Sequence, residues 1–234
     1  MNVFCTPGVM GSIAMRRMLG VSSCDEPIFG WKARVPLTNG RFDRTEVDML
    51  WGDLLVEAKL TESDFQCREA TIVESYRDFD SVFDRELLER VEIRTKRRRE
   101  AVELAEEFTQ EWEQPCDDDG AEARAFQAEI AAKADDRQPK APGYASYQLI
   151  RNVLAAHALG ASFCVIHDER RPDLREAWFR IMTAVKSADM KMRCKVLTWQ
   201  ELVPLLTEEL QRFLEDKYGI LAPGTFGFED RLPR

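Results

Sequence analysis

The chain has no apolar run approaching the ~20 residues that a membrane-crossing helix needs, so its sequence offers no span of that kind. It also lacks the order of a secretory leader, because Arg16 and Arg17 follow the first apolar residues instead of preceding them. Its six cysteines, Cys5, Cys24, Cys67, Cys116, Cys164 and Cys194, include no Cys-x-x-Cys pair. That spacing excludes the usual zinc site and a disulfide framework, and a reducing cytoplasm is the expected setting. There are only two histidines. His157 falls inside a helical pattern and reads as structural; His167 closes a strand beside Asp168 and Glu169, and no metal role is assigned to it. No internal repeat is present. A surplus of positive charge is missing too: the net charge is −9. This weighs against a generally basic nucleic-acid binder, although phosphate contacts need only a local basic patch. The acidic run Asp117-Asp118-Asp119 lacks the spaced ligands of an EF-hand loop and reads as a solvated linker.

What is present centres on Thr45 to Leu60, TEVDMLWGDLLVEAKL. It reads as a tight β-hairpin, with strands over Glu46–Trp51 and Leu54–Leu60. Gly52-Asp53 forms the turn, and a Gly at the first central position suits a type II′ turn. A two-residue loop fixes the register: Trp51 faces Leu54, Leu50 faces Leu55, Asp48 faces Glu57 and Glu46 faces Lys59. Alternation then puts Glu46, Asp48, Leu50, Leu55, Glu57 and Lys59 on one face. Opposed residues have Cβ atoms about 4.5–5.5 Å apart, and like charges placed so are unfavourable. Two carboxylates held side by side are the hard oxygen ligands that suit Mg²⁺. The plain alternative is an amphipathic hairpin with a solvated charged face.

The remaining elements are read in chain order. Val9 to Leu19 has helical spacing interrupted by Gly11, and Gly30 to Leu37 alternates as a strand ending near Pro36. Thr38-Asn39-Gly40 is a turn, and Cys67 to Glu74 is a candidate short strand. From Val82 the pattern turns helical, with Val82, Phe83, Leu87, Leu88 and Val91 spaced for one helix. Further helices follow around Ala101–Trp112 and Ala123–Ile130. Tyr144 to Leu159 is a helix stopped by Gly160, and it leads into a buried strand, Ala161 to Ile166. A helix over Asp173–Ser187 begins at Pro172. A last strand covers Met192–Trp199, and a closing helix covers Leu202–Tyr218 with a kink near Pro204. The expected architecture is α/β, a small mixed sheet flanked by helices. A single domain spans residues 1–234, with a helical insertion at about 80–140. The run Arg94, Lys96, Arg97, Arg98, Arg99 is the strongest basic cluster and a candidate phosphate contact. Equally, it reads as a helix face paired with Glu100 and Glu103.

The opposed Asp48 and the triplet Glu57-Ala58-Lys59 resemble the PD-(D/E)XK superfamily of restriction-endonuclease-like nucleases. There an Asp on one strand precedes an acidic-x-Lys triplet on the next. Here Val47, not Pro, precedes the Asp. The resemblance covers about half the chain and implies an αβββαβ core. It also implies a nuclease that hydrolyses phosphodiester bonds in DNA with Mg²⁺, or Mn²⁺ in its place. Asp48, Glu57 and the Ala58 carbonyl would be metal ligands. Lys59 would orient or deprotonate the water or stabilise developing charge. Gln148, in the helix after the insertion, is an accessory candidate, since related nucleases often place a Gln there. Glu62 and Glu26 are weaker candidates, and Asp53 lies in the turn, pointing away. Restriction-like nucleases often pair to cut two strands, so a homodimer is an expectation. The runner-up is a non-catalytic nucleic-acid-binding or assembly module of the same fold; a third reading is an unrelated α/β interaction protein.

Overall fold

A computed structural model describes residues 3–22, 25–94 and 140–223. Its ten strands are β1 Ile28–Lys32, β2 Val35–Pro36, β3 Phe42–Asp43, β4 Glu46–Trp51, β5 Leu54–Ala58, β6 Arg68–Glu69, β7 Arg90–Arg94, β8 Lys140–Tyr144, β9 Ser162–His167 and β10 Cys194–Thr198. Its helices are α1 Pro7–Met10, α2 Ile13–Leu19, α3 Ala70–Val73, α4 Phe79–Val82, α5 Tyr147–Leu159, α6 Pro172–Ala184, α7 Ala188–Arg193, α8 Trp199–Leu202 and α9 Glu208–Tyr218. Five strands form the main sheet in the order β1-β4-β5-β9-β10. The β1, β4 and β5 pairings are antiparallel, while β5, β9 and β10 run parallel. With α2 in front and α5 between β5 and β9, this is a mixed sheet flanked by helices, a restriction-endonuclease-like α/β core.

The sheet is mixed because of how its strands are joined. Gly52 has φ 61° and is the turn residue in the left-handed region, as a type II′ turn requires, so β4 and β5 must be antiparallel. The step from β5 to β9 passes through α5 and returns parallel, since parallel strands need such a crossover. Strand β5 is the middle of the five and is buried on both faces. Leu55 packs with Phe163, Val153 and Trp178 beneath α5 and α6. Leu54 and Val56 pack with Trp51, Met15, Trp199 and Leu214 on the other side. A continuous apolar run is what a strand covered on both faces requires.

Several boundaries differ from the sequence reading. Gly11 divides the first helix in two, and Ser12 caps the second through the Met15 N–H. The expected strand over Gly30–Leu37 is two pieces: β1 belongs to the main sheet, and β2 pairs only with β3. The expected closing helix breaks into α8, a 3₁₀ turn over Val203–Leu205 and α9, because Pro204 removes a donor.

The largest correction concerns the expected helix from Val82. Helix α4 ends there and residues 90–94 are a strand, β7, paired with β8, which pairs with β6 in turn. Val91 and Ile93 alternate with charged residues, a period of two that the helical spacing of Leu87, Leu88 and Val91 obscured. The chain therefore leaves residue 94 and returns at residue 140 on adjacent strands. The expected helices at 101–112 and 123–130, the acid run 117–119 and most of the basic run 94–99 lie outside the described residues.

Candidate active site

The hairpin places Asp48, Glu57, Ala58 and Lys59 at one end of the sheet. Its ladder runs from Trp51↔Leu54 to Met49↔Val56. Past that point the Asp48 carboxylate accepts the Ala58 N–H at 2.8 Å, and the Lys59 N–H turns to the Ile166 carbonyl of β9 at 2.7 Å. The strands therefore part where the acids stand. In consequence Glu46 does not pair with Lys59 as the simple register expects; its partner is Lys32 across β1, at 3.6 Å.

A second irregularity lies at the same level. Trp31 and Val47, paired across β1 and β4, pack in the core beneath α5, whereas the pair Phe29 and Met49 packs in the opposite core. Between them Gly30 has φ 59° and falls opposite Asp48. Strict alternation is lost here, so the one-face pattern expected for the whole hairpin does not extend through Asp48.

Glu57 and Lys59 are buried, at 2% and 5% exposure. Lys59 Nζ lies 2.8 Å from Glu57 Oε1. Asn152 Nδ2 donates to Glu57 Oε2 at 2.8 Å. Asn152 itself cannot turn round: its Oδ1 accepts from Arg151 Nη2 at 2.8 Å, and a guanidinium only donates. Arg151 also donates to the Glu46 carbonyl at 2.7 Å, which ties α5 to the first residue of β4. The Lys59 carbonyl accepts from Trp199 Nε1 at 2.9 Å. Lys59 is thus fixed by its backbone on both sides and by its ammonium at the tip.

Asp48 differs from Glu57 in keeping an exposed edge. Partial burial, and then the neighbouring Glu57, push its carboxyl up from 3.8 to about 6. Asp48 and Ala58 line a cavity of about 500 Å³ together with Glu46, Glu62, Gly30 and Trp199. Burial works against the charge on Glu62, yet the N–H groups of Leu60 and Thr61 outweigh it and hold the acid below its usual range. Gln148 lies one turn before Asn152 on α5 and its Oε1 is buried without a hydrogen-bond partner among the described residues. The helix residue that touches Glu57 is Asn152. Sequence reasoning passed over it, although Arg151-Asn152 is a polar pair in an otherwise apolar helical stretch. Glu26 is exposed ahead of β1 and Asp53 lies in the turn. His157 is exposed; His167 is buried with Nδ1 2.8 Å from the Asp168 carbonyl.

No group of three or more His, Cys, Asp or Glu side chains suited to a metal ion occurs among the described residues. The acid pair still fits a divalent cation in part. Asp48 has a free edge on the cavity and a carboxyl raised by burial and then by Glu57, and a cation would offset the repulsion between the two acids. Glu57 has both oxygens engaged, so it would reach a cation only by giving up Lys59.

The fold is that of a restriction-endonuclease-like protein. A family model described as "Restriction Endonuclease associating with ARP" matches residues 1–219, and the chain belongs to that family. No curated protein and no solved structure matches it. A nuclease-like function follows from the family, and association with DNA is implied by it.

Proposed function

We propose that the protein is a metal-dependent nuclease that hydrolyses phosphodiester bonds in DNA. The observation that carries this reading is the meeting of Asp48, Glu57 and a buried Lys59 where two strands of the central sheet part. Asp48, Glu57 and the Ala58 carbonyl would hold Mg²⁺ or Mn²⁺. A bound divalent ion supplies an acidified water and a clamp on the phosphate oxygens. The chain's own residues do the rest. Asp48 presents its exposed edge to the cavity, while its other side is pinned by the Ala58 N–H. Asn152 holds Glu57 in one rotamer. Lys59, released from Glu57 Oε1, brings an ammonium to the developing negative charge.

The closed Glu57–Lys59 pair supports the second reading, a non-catalytic DNA-binding module of the same fold. Purified protein incubated with supercoiled plasmid and Mg²⁺ or Mn²⁺ separates the two. The nuclease reading expects nicked or linear product that EDTA and Asp48→Asn both abolish. Intact plasmid under every metal would leave the binding module. A single such site cuts one strand, so a pair of chains is the arrangement expected for cutting both.

A further inference from the structure

We propose that the β2–β3 hairpin is a DNA-backbone docking surface that feeds the Asp48 site. This rests on the proposed action on DNA. Residues 32–44 carry Lys32, Arg34, Arg41 and Arg44 against Asp43 alone, a net +3 within a chain of −9. Lys32 is engaged with Glu46, but Arg41 and Arg44 are exposed and make no ion pair among the described residues. The Arg34 guanidinium lies over the Phe42 ring at 4.5 Å from its centroid, and Phe42 is 43% exposed. A ring beneath a guanidinium holds its plane without using its N–H donors, so Arg34 stays free to meet a phosphate.

The single acid in the hairpin is turned inward. Asp43 accepts from Thr45 Oγ1 at 2.5 Å and from Tyr76 Oη at 2.6 Å. Burial acts to raise its carboxyl, and those bonds with the nearby Arg151 more than reverse it. Asp43 therefore keeps its charge, already counted in the net +3, but engages Thr45 and Tyr76 rather than the exposed arginines.

Two further facts make the hairpin a firm platform joined to the strand that carries Asp48. Its outer edge is tied to the following segment: Thr38 N–H meets the Ser75 carbonyl at 2.9 Å and Arg77 N–H meets the Pro36 carbonyl at 3.0 Å. Its inner end runs straight into β4. Arg44 and Asp48 are four residues apart, so their Cα atoms are no more than about 14 Å apart. A backbone lying along Arg34, Arg41 and Arg44 would bring a nearby phosphate to the cavity.

The test is binding of the full chain to a fluorescein-labelled DNA duplex, read by anisotropy in EDTA, where no cutting occurs. Arg34→Glu, Arg41→Glu and Arg44→Glu should each weaken binding roughly tenfold at low salt. Each should also lower the slope of log affinity against log salt by about one. Lys191→Glu, an equal charge change on α7, should leave both unaltered. Should any reversal lower the melting temperature, the Arg→Lys and Arg→Gln pair decides instead, with Lys expected to retain binding and Gln to lose it. Arginine variants that bind like Lys191→Glu overturn the surface, even if the parent cuts DNA. A parent that binds no duplex at low salt overturns it as well. Loss of binding in the variants of a parent that never cuts keeps the surface and sinks the nuclease reading.

Discussion

At the residue scale, Asp48 is partly buried and feels the charge of Glu57, which gives a stability signature. The folded Asp48 carboxyl titrates near 6 against an ordinary 3.8. A raised value means the fold favours the protonated form. Its contribution is therefore complete below pH 3.8 and is lost as pH rises through about 6. Metal-free parent and Asp48→Asn should melt alike at the low end, and the variant should melt no lower, and by our expectation higher, above pH 6. Thermal scans across this window check it; a variant that melts clearly lower at neutral pH would mean that Asp48 is a structural anchor. Cutting should fall as pH drops through the same range, because a protonated acid does not bind a cation. Asn152 gives a second prediction. Asn152→Leu leaves Glu57 Oε2 and Arg151 Nη2 each short of a buried partner, at a cost of about 1–3 kcal/mol per group. Urea unfolding should show the loss. Asn152→Asp should lose more, because a second carboxylate then faces Glu57 in a buried site.

At the element scale, the three-stranded sheet β6-β8-β7 carries the segment that the helical spacing misread. Strand β8 lies in the middle, and Gly143 is where its neighbours close in. A Cβ there would collide with the Ile93 side chain and would come within 2.7 Å of the Arg68 carbonyl. Gly143→Ala should destabilise the fold by about 1–3 kcal/mol, as overpacking does. Adding Ile93→Ala should restore only part of it, since the Arg68 carbonyl is backbone and cannot rotate away. Equilibrium unfolding of the single and double variants tests this; full rescue would mean that β6 can retreat. The central hairpin was legible because its turn and alternation are local. Strands β6, β7 and β8 were not, because the partner of each lies far along the chain. Asp48's exact setting was hidden for a related reason: the twist opposite Gly30 depends on β1, which the hairpin sequence does not contain.

At the scale of the whole molecule, no helix among the described residues is long and apolar enough to cross a membrane, and the fold is covered on both faces of its sheet. Ligand binding should register across such a cooperative unit. A cation that binds only the folded chain stabilises it by RT ln(1 + [L]/Kd). Mg²⁺ at ~100 times Kd should therefore add about 2.7 kcal/mol and raise the melting temperature. The same addition should move Asp48→Asn much less. Equal shifts for both proteins would place the cation somewhere other than the hairpin.

The sequence by itself determined the hairpin and the αβββαβ order, and so it set Asp48 on one arm of that hairpin and Glu57 and Lys59 on the other. A two-residue turn and the period of a strand act between near neighbours, and those forces can be read from spacing. Tertiary structure decided what the trio becomes. Lys59 is buried against Glu57 because β5 lies in the middle of the sheet, an outcome set by β9 arriving from more than a hundred residues on. Asn152 reaches Glu57 because α5 crosses that strand, and Arg151 fixes it by reaching back to β4. Burial, amide orientation and the shift of the Asp48 carboxyl all depend on which distant elements exclude water from the site, and the packing of the chain sets that.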